Sequence, residues 1–416
     1  MTRLSDDCFD PSGPVMTVAE AAATILARLP VVAGVESVPL DRADGRIAAA
    51  DVRAEIDVPP FDNAAVDGYA VRFSDLSEAG PTRLPVRGRL PAGAAPAPLD
   101  AAAADRIFTG AAMPGGADTV FMQEDVAVVA DGVALPAGIV RGANRRQAGE
   151  DIARGSVAIP AGRRLRPQDL ALAAAIGRGD LPVRRALRVA VFSTGNELTE
   201  PGGLRAASGI HDSNRVMLIA LLRRLGADAS DLGILRDEPA SLAAALRAAA
   251  ESHDLILTSG GVSVGEEDHV KGAVAAAGSL ALWRLAIKPG RPVAVGVVAG
   301  TPFVGLPGNP VAAYVTLAFV VRPLLDRLGG AVHKPAIGLP VRSAFALSRK
   351  PGRREFLRVC VTRAADGAFE AALFPRGGSG TITSLTGSDG FADVPESVNR
   401  IEPGDALAFH PYPTLW

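Results

Sequence analysis

The stretch from Ala186 to Leu328 constrains the fold most, because short apolar runs and helical patterns take turns along it. ALRVAVFST (186–194) reads as a buried strand. SNRVMLIALLRRLG (213–226) reads as a helix, with Ser213 or Asp212 to cap it and Gly226 just past its end. ASDLGILRD is a strand, PASLAAALRAAAESH a helix and DLILTSGG a strand. A helix from about Asp268 to Ala277, two more strands and the helical NPVAAYVTLAFVVRPLLDRL complete the series. Strands alternating with helices predict a doubly wound, mostly parallel sheet. Ligands of such sheets sit beyond the carboxyl ends of the strands, where this chain places STGNE and TSGGVSVGEED.

On either side the pattern changes. Thr17 to Leu29 predicts a helix, with Thr17 and Glu20 at capping-box spacing and Pro30 at its end. Residues 54–140 lose helical periodicity and predict a β-rich module. RGANRRQAGEDI then leads to a helical PQDLALAAAI (167–176), so one module is interrupted by another. Beyond Gly330, short strands joined by turns such as Asp366-Gly367 predict a small β-barrel or sandwich. The fold class expected is therefore multidomain α/β. Its parts are a small helical N-terminal module (15–53 plus 141–180), a β-rich insert (54–140), the α/β domain (181–330) and a C-terminal β-domain (331–416). A length of 416 residues allows this, at roughly 150 per domain.

Composition excludes several function classes. With 21% charged residues and a formal net charge of -2, nothing favours nucleic acid or a membrane surface. Pro292 to Val321 carries no charge, but glycines and prolines break it well short of the ~20 residues a span needs. Cys8 and Cys360 lie far apart and fit no zinc spacing. The opening MTRLSDDCFDPSG has no apolar core of a signal peptide, and the sparse cysteine fits a cytoplasmic location. Lysine occurs only at 271, 288, 334 and 350. There is no GxxxxGK[ST], no GxGxxG after a strand and no GxSxG elbow.

The chemistry gathers at LTSGGVSVGEEDHVK (257–271). Gly260, Gly261 and Gly265 permit close backbone approach, and Ser259 and Ser263 add hydroxyls, which suits a phosphate or oxyanion. Glu266, Glu267 and Asp268 follow at once and would repel that anion. A magnesium ion bridging phosphate and carboxylate oxygens resolves the conflict through Asp268, while Glu266 and Glu267 read as helix-start charges. Glu197 follows the STG turn, and Asp237 follows another strand. Lys288 and Arg291 flank a Pro-Gly turn in LAIKPGRP, and GLPGNP supplies Pro307, Gly308 and Pro310 before a helix. In the N-terminal half, PPFDNAAVDGYAV carries Asp67, IFTGAAMPGGADTVFMQED carries Thr109, and RRQAGEDI carries Asp151.

Taken in order, FDNAAVDGYAV, IFTGAAMPGGADTV, RRQAGEDI, STGNEL, HDSN, LTSGGVSVGEEDHVK, KPGRP and GLPGNPVAAYV resemble the MoeA type of molybdopterin molybdenumtransferases, related to the gephyrin E domain. PGRREFLRV and GSGTITSL extend the likeness to the C-terminus. The resemblance implies insertion of molybdenum from molybdate into adenylylated molybdopterin, with release of AMP and dependence on Mg2+. It also implies a homodimer whose cleft joins the α/β domain of one subunit to the β-rich module of the other, and the adenylyltransferase that supplies the substrate as a candidate partner. Carried over by position, Asp67, Thr109, Asp151, Glu197 and Lys288 would act in catalysis. Asp237, Asp268 and Glu197 would hold the metal. Ser259, Gly260, Gly261, Ser263, Gly265, Arg291, Pro307, Gly308, Pro310, Arg353 and Ser379 would bind substrate. His211 and Arg284 depart from the common pattern, where tyrosine and lysine occur. Two alternatives remain on sequence alone: a molybdopterin adenylyltransferase, against which the extra modules argue, and a gephyrin-like scaffold, in which the acids would be dispensable.

Overall fold

The computed structural model describes residues 15–236, 238–261, 269–290 and 292–416. At its centre is a six-stranded sheet of β1 (Arg188–Thr194), β2 (Asp228–Leu235), β3 (Leu255–Ser259), β4 (Gly278–Arg284), β5 (Pro292–Val298) and β6 (Thr301–Leu306), in the order β2-β1-β3-β6-β5-β4. The pairs β2-β1, β1-β3 and β3-β6 are parallel, and β5 and then β4 extend the sheet antiparallel. β5 turns into β6 through Ala299 and Gly300, both at positive φ, as a two-residue hairpin turn requires.

β1 and β3 are buried on both faces, which is why they read as continuous apolar runs. Val189 and Val191 point into one cluster, shared with Leu218 and Leu222 of the helix Asn214–Arg224. Ala190 and Phe192 point into the opposite cluster, with Leu242 and Leu246 of Pro239–Ser252 and Val270 and Val274 of His269–Ala277. This period-two division sandwiches the sheet between two helical layers. Of the two candidate caps before Asn214, Asp212 takes the role: its Oδ1 accepts from the Arg215 N–H at 3.2 Å, whereas Ser213 makes no capping bond.

The N-terminal helix Val18–Arg28 forms with the expected capping box: Thr17 N donates to Glu20 Oε2 at 2.8 Å and Glu20 N to Thr17 Oγ1 at 3.1 Å. Its Val18, Ala21 and Ile25 enter the same cluster as β1. Val35–Pro39 pairs with Asp180–Arg184, and one cluster joins Ala43, Ala48, Val52 and Ala54 to Ile159, Leu165, Ile176 and Leu181. The chain between them folds chiefly into a four-stranded and a three-stranded sheet.

The C-terminal strands β7 (Leu339–Ser343), β8 (Arg354–Arg363), β9 (Phe369–Leu373), β10 (Gly390–Val394) and β11 (Ala406–Pro411) run in the order β8-β9-β7-β11-β10. β10 pairs back onto β8, so the five close into a barrel and leave no free edge within the ring. Closure works because β8 is long: Arg363 back to Val359 pairs with β9, and Val359 back to Glu355 pairs with β10. The short strand Ile287–Lys288 pairs in parallel with Arg354 and Glu355, stitching the α/β domain to the barrel.

Candidate active site

Three turns converge at the carboxyl edge of the sheet. After β1, Gly195 has φ +150°, and a Cβ there would lie 2.5 Å from Glu197 Oε2, so glycine lets that carboxylate fold back over the turn. After β3, Gly260 and Gly261 both take positive φ. A Cβ on Gly261 would meet Val270 Cγ2 at 2.4 Å and Thr194 Oγ1 at 2.5 Å, so this turn packs directly on the end of β1. After β6 come Pro307, Gly308 and Asn309, leading into the helix Pro310–Thr316. Asn214 ties two of these edges, donating from Nδ2 to Ser259 Oγ at 2.8 Å and to the Gly308 carbonyl at 2.7 Å.

Facing this edge is the barrel, and between them lies a cleft of about 920 Å3. Glu197, Gly260, Gly261, Lys288, Pro307 and Gly308 line it from the α/β side, and Glu355, Arg358, Phe374 and Ser379 from the other. The Lys288 ammonium pairs with Glu355 Oε1 at 2.6 Å. Arg358 donates to Ser384 Oγ at 3.2 Å and to the Gly378 carbonyl at 3.1 Å, and burial pushes its pKa below the ordinary arginine value. Among the described residues no cation pairs with Glu197. A smaller pocket of about 240 Å3 shares Glu197, Gly260 and Gly308 with the cleft and reaches Ser193, Thr194, His211 and Asn214. Ser193 Oγ, Thr194 Oγ1 and Asn214 Oδ1 are buried there without a hydrogen-bond partner among the described residues. Buried polar atoms are ordinarily paired, so this pocket is built for a polar guest or water.

Comparison with known proteins decides the family. The family described as MoeA N-terminal region (domain I and II) matches residues 16–177, the probable molybdopterin binding domain matches 190–327, and the MoeA C-terminal region (domain IV) matches 340–412. A molybdopterin molybdenumtransferase of Haemophilus influenzae is 36% identical over 408 residues, spanning 96% of this chain and 99% of that one. Molybdopterin molybdenumtransferase 2 of Mycobacterium tuberculosis is 38% identical over 384 residues, covering 89% and 93%. The chain belongs to the MoeA family. A crystal structure of the Pyrococcus horikoshii OT3 MoeA protein matches with TM-score 0.81 at 28% identity, covering 96% of this chain and 100% of that one. As a MoeA-family member the chain is an enzyme, a molybdopterin molybdenumtransferase of molybdenum cofactor biosynthesis. No helix among its described residues is long and apolar enough to cross a membrane.

Within this MoeA fold, seven of the residues singled out from sequence line the cleft: Glu197, Gly260, Gly261, Lys288, Pro307, Gly308 and Ser379. Ser259 and Pro310 line the smaller pocket. Asp67, Thr109 and Asp151 line neither. Thr109 donates to Asp67 Oδ1 from its backbone N at 2.8 Å and from Oγ1 at 2.7 Å, and these two bonds, the backbone one first, hold the Asp67 carboxyl below its usual range. Asp151 is exposed, with its N–H on the Val58 carbonyl at 3.0 Å. Arg353 does not line the cleft; its carbonyl accepts from Arg349, and the arginine on the cleft wall is Arg358. Asp237, Ser263, Gly265, Asp268 and Arg291 lie outside the described residues.

Sequence reasoning passed over Asn214, Glu355 and Arg358. Glu355 and Arg358 both stand in the PGRREFLRV stretch, three positions apart, so strand parity singles out neither. For a metal, the described residues hold no group of three or more His, Cys, Asp or Glu that could bind one. The Glu197 carboxylate, without a cation partner among the described residues, is a hard oxygen donor of the kind magnesium takes.

Proposed function

We propose that this enzyme inserts molybdenum from molybdate into the dithiolene of adenylylated molybdopterin, cleaving the pyrophosphate link and releasing AMP. One observation carries the reading. The glycine turns, Glu197 and the cations Lys288 and Arg358 all line one cleft of about 920 Å3, at the upper end of the range for small-molecule sites. The N–H groups of the Gly260-Gly261 turn suit the pterin-side phosphate. Lys288 on the α/β side and Arg358 on the barrel side would draw in the molybdate dianion and offset charge developing on the phosphates. Glu197, with Asp237 and Asp268, would hold Mg2+, which when bound neutralises phosphate charge.

The N-terminal half enters this reading through a second copy. Asp67, Thr109 and Asp151 do not line the cleft of their own chain, which supports a homodimer with each cleft completed by the other subunit's β-rich module. The reading also takes the enzyme as cytoplasmic, with the adenylyltransferase that makes its substrate as a partner.

The test supplies adenylylated molybdopterin, molybdate and magnesium and follows AMP and molybdenum cofactor. Stoichiometric appearance of both is expected. Neither product from the wild type would end the transferase reading, and ATP-dependent adenylylation of molybdopterin would point to the adenylyltransferase instead. Light scattering is expected to give twice 42.6 kDa, and a single-chain mass would remove the shared cleft.

A further inference from the structure

Lys288 is not free at the cleft wall. It sits on the two-residue strand Ile287–Lys288, in register with Glu355 at the start of β8, and its ammonium lies 2.6 Å from Glu355 Oε1. Directly opposite residues in paired strands project to the same face, so the backbone register itself brings the two charges together. Glu355 is 7% exposed, whereas half of the Lys288 side chain remains open to the cleft.

A lysine cancelled by a carboxylate would attract no oxyanion. The second oxygen of Glu355 removes that objection, because Arg349 Nε lies 3.2 Å from Oε2. The approach is an ion contact and not a hydrogen bond, since the N–H is not aligned with the oxygen. Arg349 cannot leave: it is buried, and it donates to the carbonyls of Pro395 at 2.9 Å, Val398 at 3.0 Å and Arg353. Two cations thus face one carboxylate, and one positive charge survives at the mouth of the cleft, on the more exposed lysine. Holding that long side chain in one place before the anion arrives also avoids the ordering cost at binding.

We propose that Glu355 is a positioning residue for the oxyanion step, fixing Lys288 at the cleft wall, with Arg349 as the permanent counterion that keeps Lys288 from being neutralised. The inference rests on the cleft being the molybdate and phosphate site. Its prediction is a pair of opposite kinetic signatures. In Glu355→Gln the cleft gains net positive charge and Lys288 loses its anchor. KM for molybdate is expected to fall or hold, while kcat drops on the order of tenfold, as misplacing a catalytic group does. Glu355→Asp, which keeps the charge, should recover part of kcat. In Arg349→Met, Glu355 neutralises Lys288, so KM for molybdate should rise severalfold with kcat within about twofold of wild type.

The experiment measures steady-state AMP release against molybdate concentration for the wild type and the three variants. Calorimetric titration of molybdate and a thermal melt accompany each. Opposite shifts of KM in Glu355→Gln and Arg349→Met carry the proposal. Parallel losses of kcat and melting temperature in both, without recovery in Glu355→Asp, assign Glu355 to structure alone and overturn it, as does an unchanged Glu355→Gln enzyme. A wild type that neither binds molybdate nor turns over removes the cleft reading itself and this inference with it, an outcome distinct from an active wild type with silent variants.

Discussion

The two edges of the central sheet treat a carboxylate in opposite ways. At the amino edge, Asp254 precedes β3 and is 5% exposed. Arg185 grips it at 2.8 and 3.1 Å, Arg188 adds Nη2 at 3.3 Å, and the Arg188 backbone N–H donates at 2.8 Å. Burial pushes its pKa up, but the arginine bonds outweigh burial and hold it below the ordinary value. At the carboxyl edge, Glu197 is exposed, turned back over Gly195, and paired with no cation among the described residues. Both acids belong to the same sheet. One edge closes its charges within the protein and contributes stability; the other leaves a charge open toward a cleft and contributes a site.

Exchanging the charge at each edge tests the contrast. The largest effect is expected from Glu197→Gln. Removing the carboxylate proposed to hold the metal should lower kcat by about 10^3-fold, equivalent to about 4 kcal/mol of transition-state stabilisation. An exposed, unpaired side chain holds nothing together, so the melting temperature should stay put. Wild-type turnover in this variant would move the site elsewhere. Asp254→Asn should do the reverse: a stability loss of about 2–3 kcal/mol in urea unfolding, with turnover at 25 °C within about twofold of wild type. The half-open arginines place this below the cost of breaking a fully buried pair. The sign of its pH dependence follows from a folded pKa below the unfolded one. The Asp254 contribution is complete above the unfolded value of about 3.9 and disappears as pH falls through the folded value. The variant should therefore close much of its stability gap with the wild type in that acid range. A gap that stays constant from neutral pH to about pH 2 would show that the arginine pairs are not what the mutation removes.

The sheet could be read from sequence because β1 and β3 announce themselves as unbroken apolar runs between turn residues, and Thr17 with Glu20 marked a helix start through a local bond. The same locality explains Glu197, Gly260, Gly261 and Lys288, each of which follows directly from a strand end or a turn. What stayed open, as between barrel and sandwich, or was missed depends on distance in the chain. Barrel closure needs β8 to pair on both sides, with β9 a few residues away and with β10 beyond a long connection. Asn214 reaches Gly308 across 94 positions, and Glu355 meets Lys288 across the domain seam. Arg353 and Arg358 stand in one motif. Arg353 lies before β8 begins and Arg358 within it, a boundary that motif order does not encode.

Asp67 lies between the two extremes, and the smallest effect is expected there. Its carboxylate is accessible like that of Glu197, yet partly satisfied like that of Asp254, through the two bonds from Thr109. The backbone bond lowers its pKa most and the hydroxyl bond next. Thr109→Val removes only the second. The Asp67 titration, followed by carboxyl-carbon NMR, should shift upward but stay below the ordinary aspartate value, because the N–H donor at residue 109 persists. As with any carboxylate of depressed folded pKa, the stabilisation is present at neutral pH and lost as pH falls through the folded value, so the variant should give up at neutral pH the part that the hydroxyl bond supplies, and that difference from the wild type should close in acid. Turnover should fall severalfold and not vanish, since the Asp67 charge remains and only its orientation loosens. An unmoved Asp67 titration would show that the Thr109 hydroxyl does not hold this carboxylate in solution, and that the backbone N–H alone sets its pKa.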